Sequence, residues 1–244
     1  MSFPVRQIRN GDFRTAAKLI TAIERGDPSA VPILKALTPY TGRAQVIGIT
    51  GPVGAGKSSL INDLTTGYRR LRRRVGILAV DPTSPVTGGA ILGDRIRMRD
   101  HLTDPGVFIR SLAARGAPGG LPVLVLAEAL HVLDALGMDV IFIETIGIGQ
   151  DQTAVASIAR TTAVVVNPTL GDEVQLLKAG FMEIADIFVV NKADLPGADR
   201  MALQLADLSD AVNPVPVFKT SSLKHEGLDE LIKGLSDIGK RTRR

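Results

Sequence analysis

Short apolar runs recur along the chain, and the stretches between them are long enough for helices. Gln45-Val-Ile-Gly-Ile-Thr50, Val75-Gly-Ile-Leu-Ala-Val80 and Val140-Ile-Phe-Ile-Glu144 are β-branched and nearly free of polar residues, the pattern of strands buried on both faces. The same reading predicts strands over 45–50, 75–80, 107–110, 140–144, 163–167, 187–191 and 215–219. Near-continuous apolar strands separated by helices predict an α/β fold with a mostly parallel sheet, covered on both faces, with ligands at the carboxyl ends of its strands. Ahead of the first strand, Phe13, Ala16, Ala17, Leu19, Ile20 and Ile23 recur at helical spacing. Gly26-Asp-Pro28 stops that helix, and Pro39-Tyr-Thr-Gly42 hands over to the strand-rich part. The expected organisation is a helical extension over 1–41 and one α/β domain over 42–244.

Composition narrows the function classes. The 244 residues, 45% hydrophobic, suit one large domain with a sizeable core. The absence of cysteine excludes a disulfide framework and any thiolate metal site. His101, His131 and His225 have no i, i+4 ligand spacing and are expected at the surface or at element edges. The net charge of +4 and the cluster Arg69-Arg-Leu-Arg-Arg-Arg74 raise the question of nucleic acid. That cluster is expected at the end of a helix opened by Lys57, where cations complement the helix dipole, and aromatic residues are only 4% of the chain, so no nucleic-acid partner is expected. No basic-plus-apolar leader and no 18-residue apolar span is visible, which predicts a cytoplasmic protein without a membrane partner.

Two motifs carry chemistry. Gly51-Pro-Val-Gly-Ala-Gly-Lys-Ser58 follows the first strand and has the Walker A spacing. Its glycines let successive backbone N–H groups of Gly51, Val53, Gly54, Ala55 and Gly56 form an anion nest, continued by Lys57, Ser58 and Ser59 at the start of the helix. Lys57 would reach the β- and γ-phosphates, and the Ser58 hydroxyl would coordinate Mg²⁺. Asn191-Lys-Ala-Asp194 follows a later strand. Its Asp194 carboxylate can accept from the N1–H and 2-amino groups of guanine, whereas adenine presents an acceptor at N1, so GTP over ATP is expected. Asn191 would brace the phosphate loop, and Lys192 would lay its stem across the base. The segment Lys219-Thr-Ser-Ser-Leu223, with Ser221 and Ser222, stands where a loop could meet guanine O6.

Acidic residues at strand ends extend the pattern. Glu144 ends the strand opposite the phosphate loop, where a carboxylate can hold Mg²⁺ directly or through water, and Gly147 leaves its N–H free to approach a γ-phosphate. From the sequence alone, Asp81 and Asp94 taken singly are better read as helix caps or turn formers.

As a set, these residues resemble the MeaB/ArgK family of G proteins, which includes the human methylmalonic aciduria type A protein. The matching segments are 51–58, Ala79-Val-Asp-Pro-Thr-Ser84, Thr87 to Met98, Phe108-Ile-Arg-Ser111, Glu144 to Gln150, Gly171 to Gly180 and Asn191 to Asp194. The resemblance covers roughly residues 10–235 and implies a SIMIBI-type P-loop GTPase. By implication it is a chaperone that gates cofactor loading and protects or reactivates an adenosylcobalamin-dependent acyl-CoA mutase. It implies Ser58, Asp81, Asp94 and Glu144 as the Mg²⁺ set, switches over 81–98 and 147–153, and a further, mutase-contacting switch over 171–180. Lys178 takes the family's basic position in that switch. Gln150 is a candidate for orienting the attacking water, with a switch-stabilising role as the alternative, and Arg97 either counters developing charge or binds the partner.

Departures from the family pattern concern the partner. Leu121-Pro-Val-Leu-Val-Leu126 is more apolar than the usual helix start, and Asp151-Gln152 replaces the usual Ser-Glu. Many relatives continue into a long helical dimerisation arm, whereas this sequence ends at Arg244, so a monomer or a dimer through another surface is expected. Two other classes compete: a nickel-type metallochaperone GTPase, against which the missing cysteines argue, and an ATPase associated with basic amino-acid transport, which would not need Asp194.

Overall fold

A computed structural model describes residues 3–81, 98–113, 123–145, 151–169, 180–210 and 214–241. Its elements run α1 (Phe3–Arg9), α2 (Phe13–Glu24), α3 (Ala30–Leu37), β1 (Gln45–Thr50), α4 (Lys57–Arg70), β2 (Val75–Asp81), β3 (Val107–Ala113), α5 (Val123–Ala135), β4 (Val140–Glu144), α6 (Asp151–Ile158), β5 (Thr161–Val166), α7 (Phe181–Ile184), β6 (Ile187–Val190), α8 (Ala198–Asp210), β7 (Val217–Lys219) and α9 (Leu228–Arg241). The strands form one seven-stranded sheet in the order β3-β2-β4-β1-β5-β6-β7. The β2–β3, β1–β5, β5–β6 and β6–β7 ladders are all parallel.

All seven predicted strands are present, β1 and β4 with the predicted bounds and the other five with shifted ends. β3 continues past Arg110 through Ser111 and Leu112 to Ala113, because the ladder to β2 pairs every residue from Val75 with Val107 to Asp81 with Ala113. β5 begins at Thr161, and its first two threonines are buried despite their hydroxyls. β7 begins only at Val217: Pro216 has no N–H to give a ladder, though its carbonyl accepts from Phe188 N at 3.0 Å.

The chain divides into two compact units, residues 1–46 with 72–142 and residues 47–71 with 143–244. In the first, α2 buries Ala16, Leu19, Ile20 and Ile23, and it packs on α5, which buries Leu126, Ala129, Leu130, Val132 and Leu133. Phe13 meets Phe108 edge to face at 5.3 Å between ring centroids. Asp12 caps α2 by accepting from Arg14 N at 2.9 Å and Thr15 N at 3.3 Å. The hydrogen bond from the Thr15 side chain, more than the backbone ones, keeps its carboxyl below the ordinary value. Arg110 on β3 forms an ion pair with Glu24 at the end of α2, and both side chains are largely buried. Asp134 on α5 receives Gly42 N at 2.5 Å, Arg43 N at 3.2 Å and Ala44 N at 3.0 Å, which fixes the path of the chain into β1. His101, expected at the surface or at an element edge, lies at an edge: it closes a tight 3₁₀ turn after the buried Met98 and is itself only 7% exposed.

In the second unit, Val164, Val166, Phe188 and Val190 of β5 and β6 pack with Phe181, Met201 and Leu205. Phe188 is fully buried, and side chains of this kind each contribute roughly 1.5–3 kcal/mol by leaving water. On α4, a side chain in place of Gly67 would collide with Ile232 of α9, so the two helices lie in close contact. The cluster at Arg69 and Arg70 does end α4, in the last turn where it suits the helix dipole.

Candidate nucleotide site

In the second unit, side chains just past the ends of β5 and β6 reach the loop after β1, Glu144 at the end of β4 meets Ser58 on α4, and the loop after β7 joins the one after β6. Gly56 in that loop has φ +92°, and any side chain there would run into the Asn191 amide. Asn191, 1% exposed, donates from Nδ2 to Ala55 O at 3.1 Å and to Gly56 O at 3.4 Å. Lys192 donates from Nζ to Gly54 O at 3.0 Å. The same Gly54 carbonyl receives Asn167 Nδ2 at 2.8 Å. Three consecutive carbonyls are thus drawn toward side chains after β5 and β6. A trans peptide is planar and its N–H points opposite its C=O, so the N–H groups of Ala55, Gly56 and Lys57 turn the other way. That is the arrangement of an anion nest leading into the N-terminus of α4, with the Ala55 N–H donating to Pro52 O at 3.3 Å inside the loop.

Lys57 is buried, and its Nζ donates to Gly51 O at 2.8 Å and Pro52 O at 3.0 Å. Val53 and Ser59 stand exposed beside it. Ser58 donates from Oγ to Glu144 Oε1 at 2.6 Å, with both residues buried. The end of β4 is joined to that of β1 by Thr145 N on Ile49 O at 3.2 Å and by the Thr145 hydroxyl on Thr50 Oγ1 at 3.1 Å. A hydroxyl and a carboxylate in contact are oxygen donors of the kind a hard divalent cation takes. Among the described residues no group of three or more His, Cys, Asp or Glu could hold a metal.

On the opposite side, Ser221 donates from Oγ to Asp194 Oδ1 at 2.5 Å. That hydrogen bond, ahead of the nearby Lys224 and Lys192 charges, holds the Asp194 carboxyl below its ordinary value. Ala193 N donates to Thr220 O at 2.9 Å, and Thr220 Oγ1 bonds Asn191 Oδ1 at 3.2 Å, so the loops after β6 and β7 form one piece. The second loop closes on itself through paired backbone bonds between Ser221 and Glu226. Gly227 then takes φ +73° with no room for a Cβ against the Lys219 carbonyl. The Ser222 hydroxyl is buried with no hydrogen-bond partner among the described residues.

The structure brings together Gly51, Gly54, Ala55, Gly56, Lys57, Ser58, Glu144, Asn191, Lys192, Asp194 and Ser221. Asp81 closes β2, and nothing of its side chain is described. Asp94, Arg97, Gly147, Gln150 and Lys178 lie outside the described residues. Asn167 was missed from the sequence. Its only signal is a polar residue ending an apolar strand at the same edge as Glu144 and Asn191.

Fold and loop order define an α/β protein of the P-loop nucleotide-binding class. The family model "Methylmalonyl Co-A mutase-associated GTPase MeaB" matches residues 16–243, and the chain belongs to this MeaB/ArgK family. A Pyrococcus horikoshii relative, a GTPase by name only, is 55% identical over 201 residues, covering 82% of this chain and 63% of its own. This chain therefore spans somewhat less than two thirds of that relative's length. GTPase ArgK of Escherichia coli is 33% identical over 247 residues, 96% of this chain and 74% of its own. The fused isobutyryl-CoA mutase of Geobacillus kaustophilus is 34% identical over 256 residues, 96% of this chain but 23% of that protein. Among solved structures, the LAO/AO transport system kinase superposes with a TM-score of 0.75 at 24% identity, over 98% of this chain and 79% of its own. HypB from Helicobacter pylori, solved with nickel, gives 0.64 at 18% identity, over 89% of this chain and 96% of its own, a likeness of fold.

Proposed function

We propose that this chain binds GTP with Mg²⁺, hydrolyses it slowly alone, and serves as a G-protein chaperone of an adenosylcobalamin-dependent acyl-CoA mutase, gating cofactor loading and protecting or reactivating the enzyme. In this reading residues 42–244 are the GTPase domain and 1–41 its helical extension, working in the cytoplasm. Among the described residues no helix is long and apolar enough to cross a membrane.

The observation that carries the reading is the double attachment of the Asn191 to Asp194 segment. Asn191 and Lys192 hold phosphate-loop carbonyls, while Asp194 is held by Ser221, which supports base and phosphate recognition through one connected segment. Phosphoryl transfer asks for positioning and charge stabilisation, not a covalent nucleophile. Lys57 already sits at the loop on two neutral carbonyls, and anionic phosphate oxygens are stronger acceptors to which it can transfer. Ser58 and Glu144 would hold Mg²⁺, which supplies charge neutralisation at the phosphates. Asp81 and Asp94 in the metal set, Gly147 at the γ-phosphate, Gln150 at the water, and Arg97 and Lys178 toward charge and partner are assigned on the family resemblance. The mutase partner is supported by the family description and by the fused mutase, in which a region like this chain shares a polypeptide with a mutase.

The test is GTP turnover by the purified chain, alone and with methylmalonyl-, ethylmalonyl-, isobutyryl- and hydroxyisobutyryl-CoA mutases. Stimulation by one of them is expected, and turnover that none of them changes would remove the client from the account.

A further inference from the structure

Asn167 lies immediately after β5 and is 1% exposed, in a place where a further valine would continue the apolar run. Its amide is used at both ends. Nδ2 donates to Gly54 O at 2.8 Å, while Oδ1 accepts from Thr169 N at 2.9 Å and from the Thr169 hydroxyl at 2.6 Å. A backbone carbonyl only accepts and a backbone N–H only donates, so these partners fix the amide's orientation and demand a side chain that does both. The Asn167 amide is itself buried, whereas Gly54 and Thr169 are exposed, so the desolvation penalty of a lost bond falls chiefly on the amide.

We infer that Asn167 is a positioning residue for phosphate binding: it ties the Gly54–Ala55 peptide of the phosphate loop to the turn at Thr169, so that filling the loop and ordering that turn are coupled. The inference rests on the nucleotide reading above. Rotating the Gly54–Ala55 peptide would swing the Ala55 N–H, because the peptide is planar. Two side chains resist that rotation. Lys192 reaches Gly54 from an exposed, rotamer-rich chain, whereas Asn167 is short and buried, with its other end fixed. Asn167 therefore holds the carbonyl side of the peptide plane, while the Ala55 N–H donates to Pro52 O at 3.3 Å on the other side. By linkage, a ligand that stiffens Gly54 stiffens Thr169, and whatever stiffens Thr169 favours the ligand by the same factor.

The experiment measures GDP and guanosine affinity for the wild type, Asn167→Asp and Thr169→Val, together with amide hydrogen exchange at Thr169 with and without GDP. Asn167→Asp keeps the acceptor for Thr169 but sets a carboxylate oxygen against the Gly54 carbonyl. It is expected to weaken GDP binding by at least about tenfold while guanosine, which has no phosphate, stays within about twofold. Thr169→Val, which removes one hydroxyl, is expected to weaken GDP by roughly threefold. GDP should slow Thr169 amide exchange in the wild type and not in Asn167→Asp. Wild-type affinity for GDP in both variants, or Thr169 exchange indifferent to GDP, would overturn the inference. If Asn167→Asp fails to fold, Thr169→Val and the wild-type exchange decide it. A wild type that binds neither GDP nor GTP would instead remove the nucleotide reading beneath it.

Discussion

Ser221 donates a 2.5 Å hydrogen bond to the carboxylate of Asp194 across two loops that follow adjacent parallel strands. Under the proposed function, the acceptor for a guanine edge would thus be oriented before any base arrives, with rotamer freedom that binding would otherwise freeze already lost.

The same contact has a pH signature. The folded-state pKa of Asp194 lies below the ordinary 3.8, with the Ser221 hydrogen bond as the leading cause. A depressed carboxyl contributes stability that is fully present above the unfolded value and is lost as pH falls through the folded one. In Ser221→Ala the pKa should rise toward 3.8, as read by NMR titration of the Asp194 carboxyl carbon. An unchanged titration would show that Ser221 does not hold this group.

The Arg110–Glu24 pair predicts how the helical extension is fastened. Glu24→Ala leaves a guanidinium largely buried with its carboxylate partner gone, and should lower unfolding stability by about 3 kcal/mol. Replacing both residues by methionine should recover much of the loss. Denaturant unfolding of the three proteins checks this; equal losses in the single and double variants would assign the effect to packing alone.

Glu144 is expected to act through Mg²⁺. Glu144→Gln keeps the size and an acceptor for Ser58 but removes the charge. GDP affinity in EDTA should be unchanged, while the gain that Mg²⁺ brings to the wild type should fall roughly tenfold. A variant with the full Mg²⁺ gain would take Glu144 out of the metal set.

Much of this was legible in the sequence because it depends on local chemistry. Seven apolar runs marked the strands, and Gly56, Lys57, Ser58, Asn191 and Asp194 occupied fixed offsets just beyond them. Strand ends were less legible: Thr161 and Ser111 look like turn residues until the ladder partner is known. Lys192 was expected across a base, and the contact its ammonium makes to the Gly54 carbonyl was not foreseen. Asn167 was illegible because its role comes from β5 lying next to β1, and nothing in the sequence around 167 reports on residue 54. The buried His101 and the Asp134 clasp on residues 42–44 are of the same kind: short-range patterns do not encode which distant backbone a side chain will meet.

The central claim is that Asp194 reads guanine, and Asp194→Asn tests it most directly. Both guanine groups facing this residue are donors, which a carboxylate satisfies; an amide offers one acceptor and one donor, which suits xanthine with its 2-oxo group. GDP and XDP dissociation constants measured for the wild type and the variant should invert, with GDP weakened by at least about a hundredfold and XDP strengthened. A variant that still prefers GDP as the wild type does would contradict the account at its base.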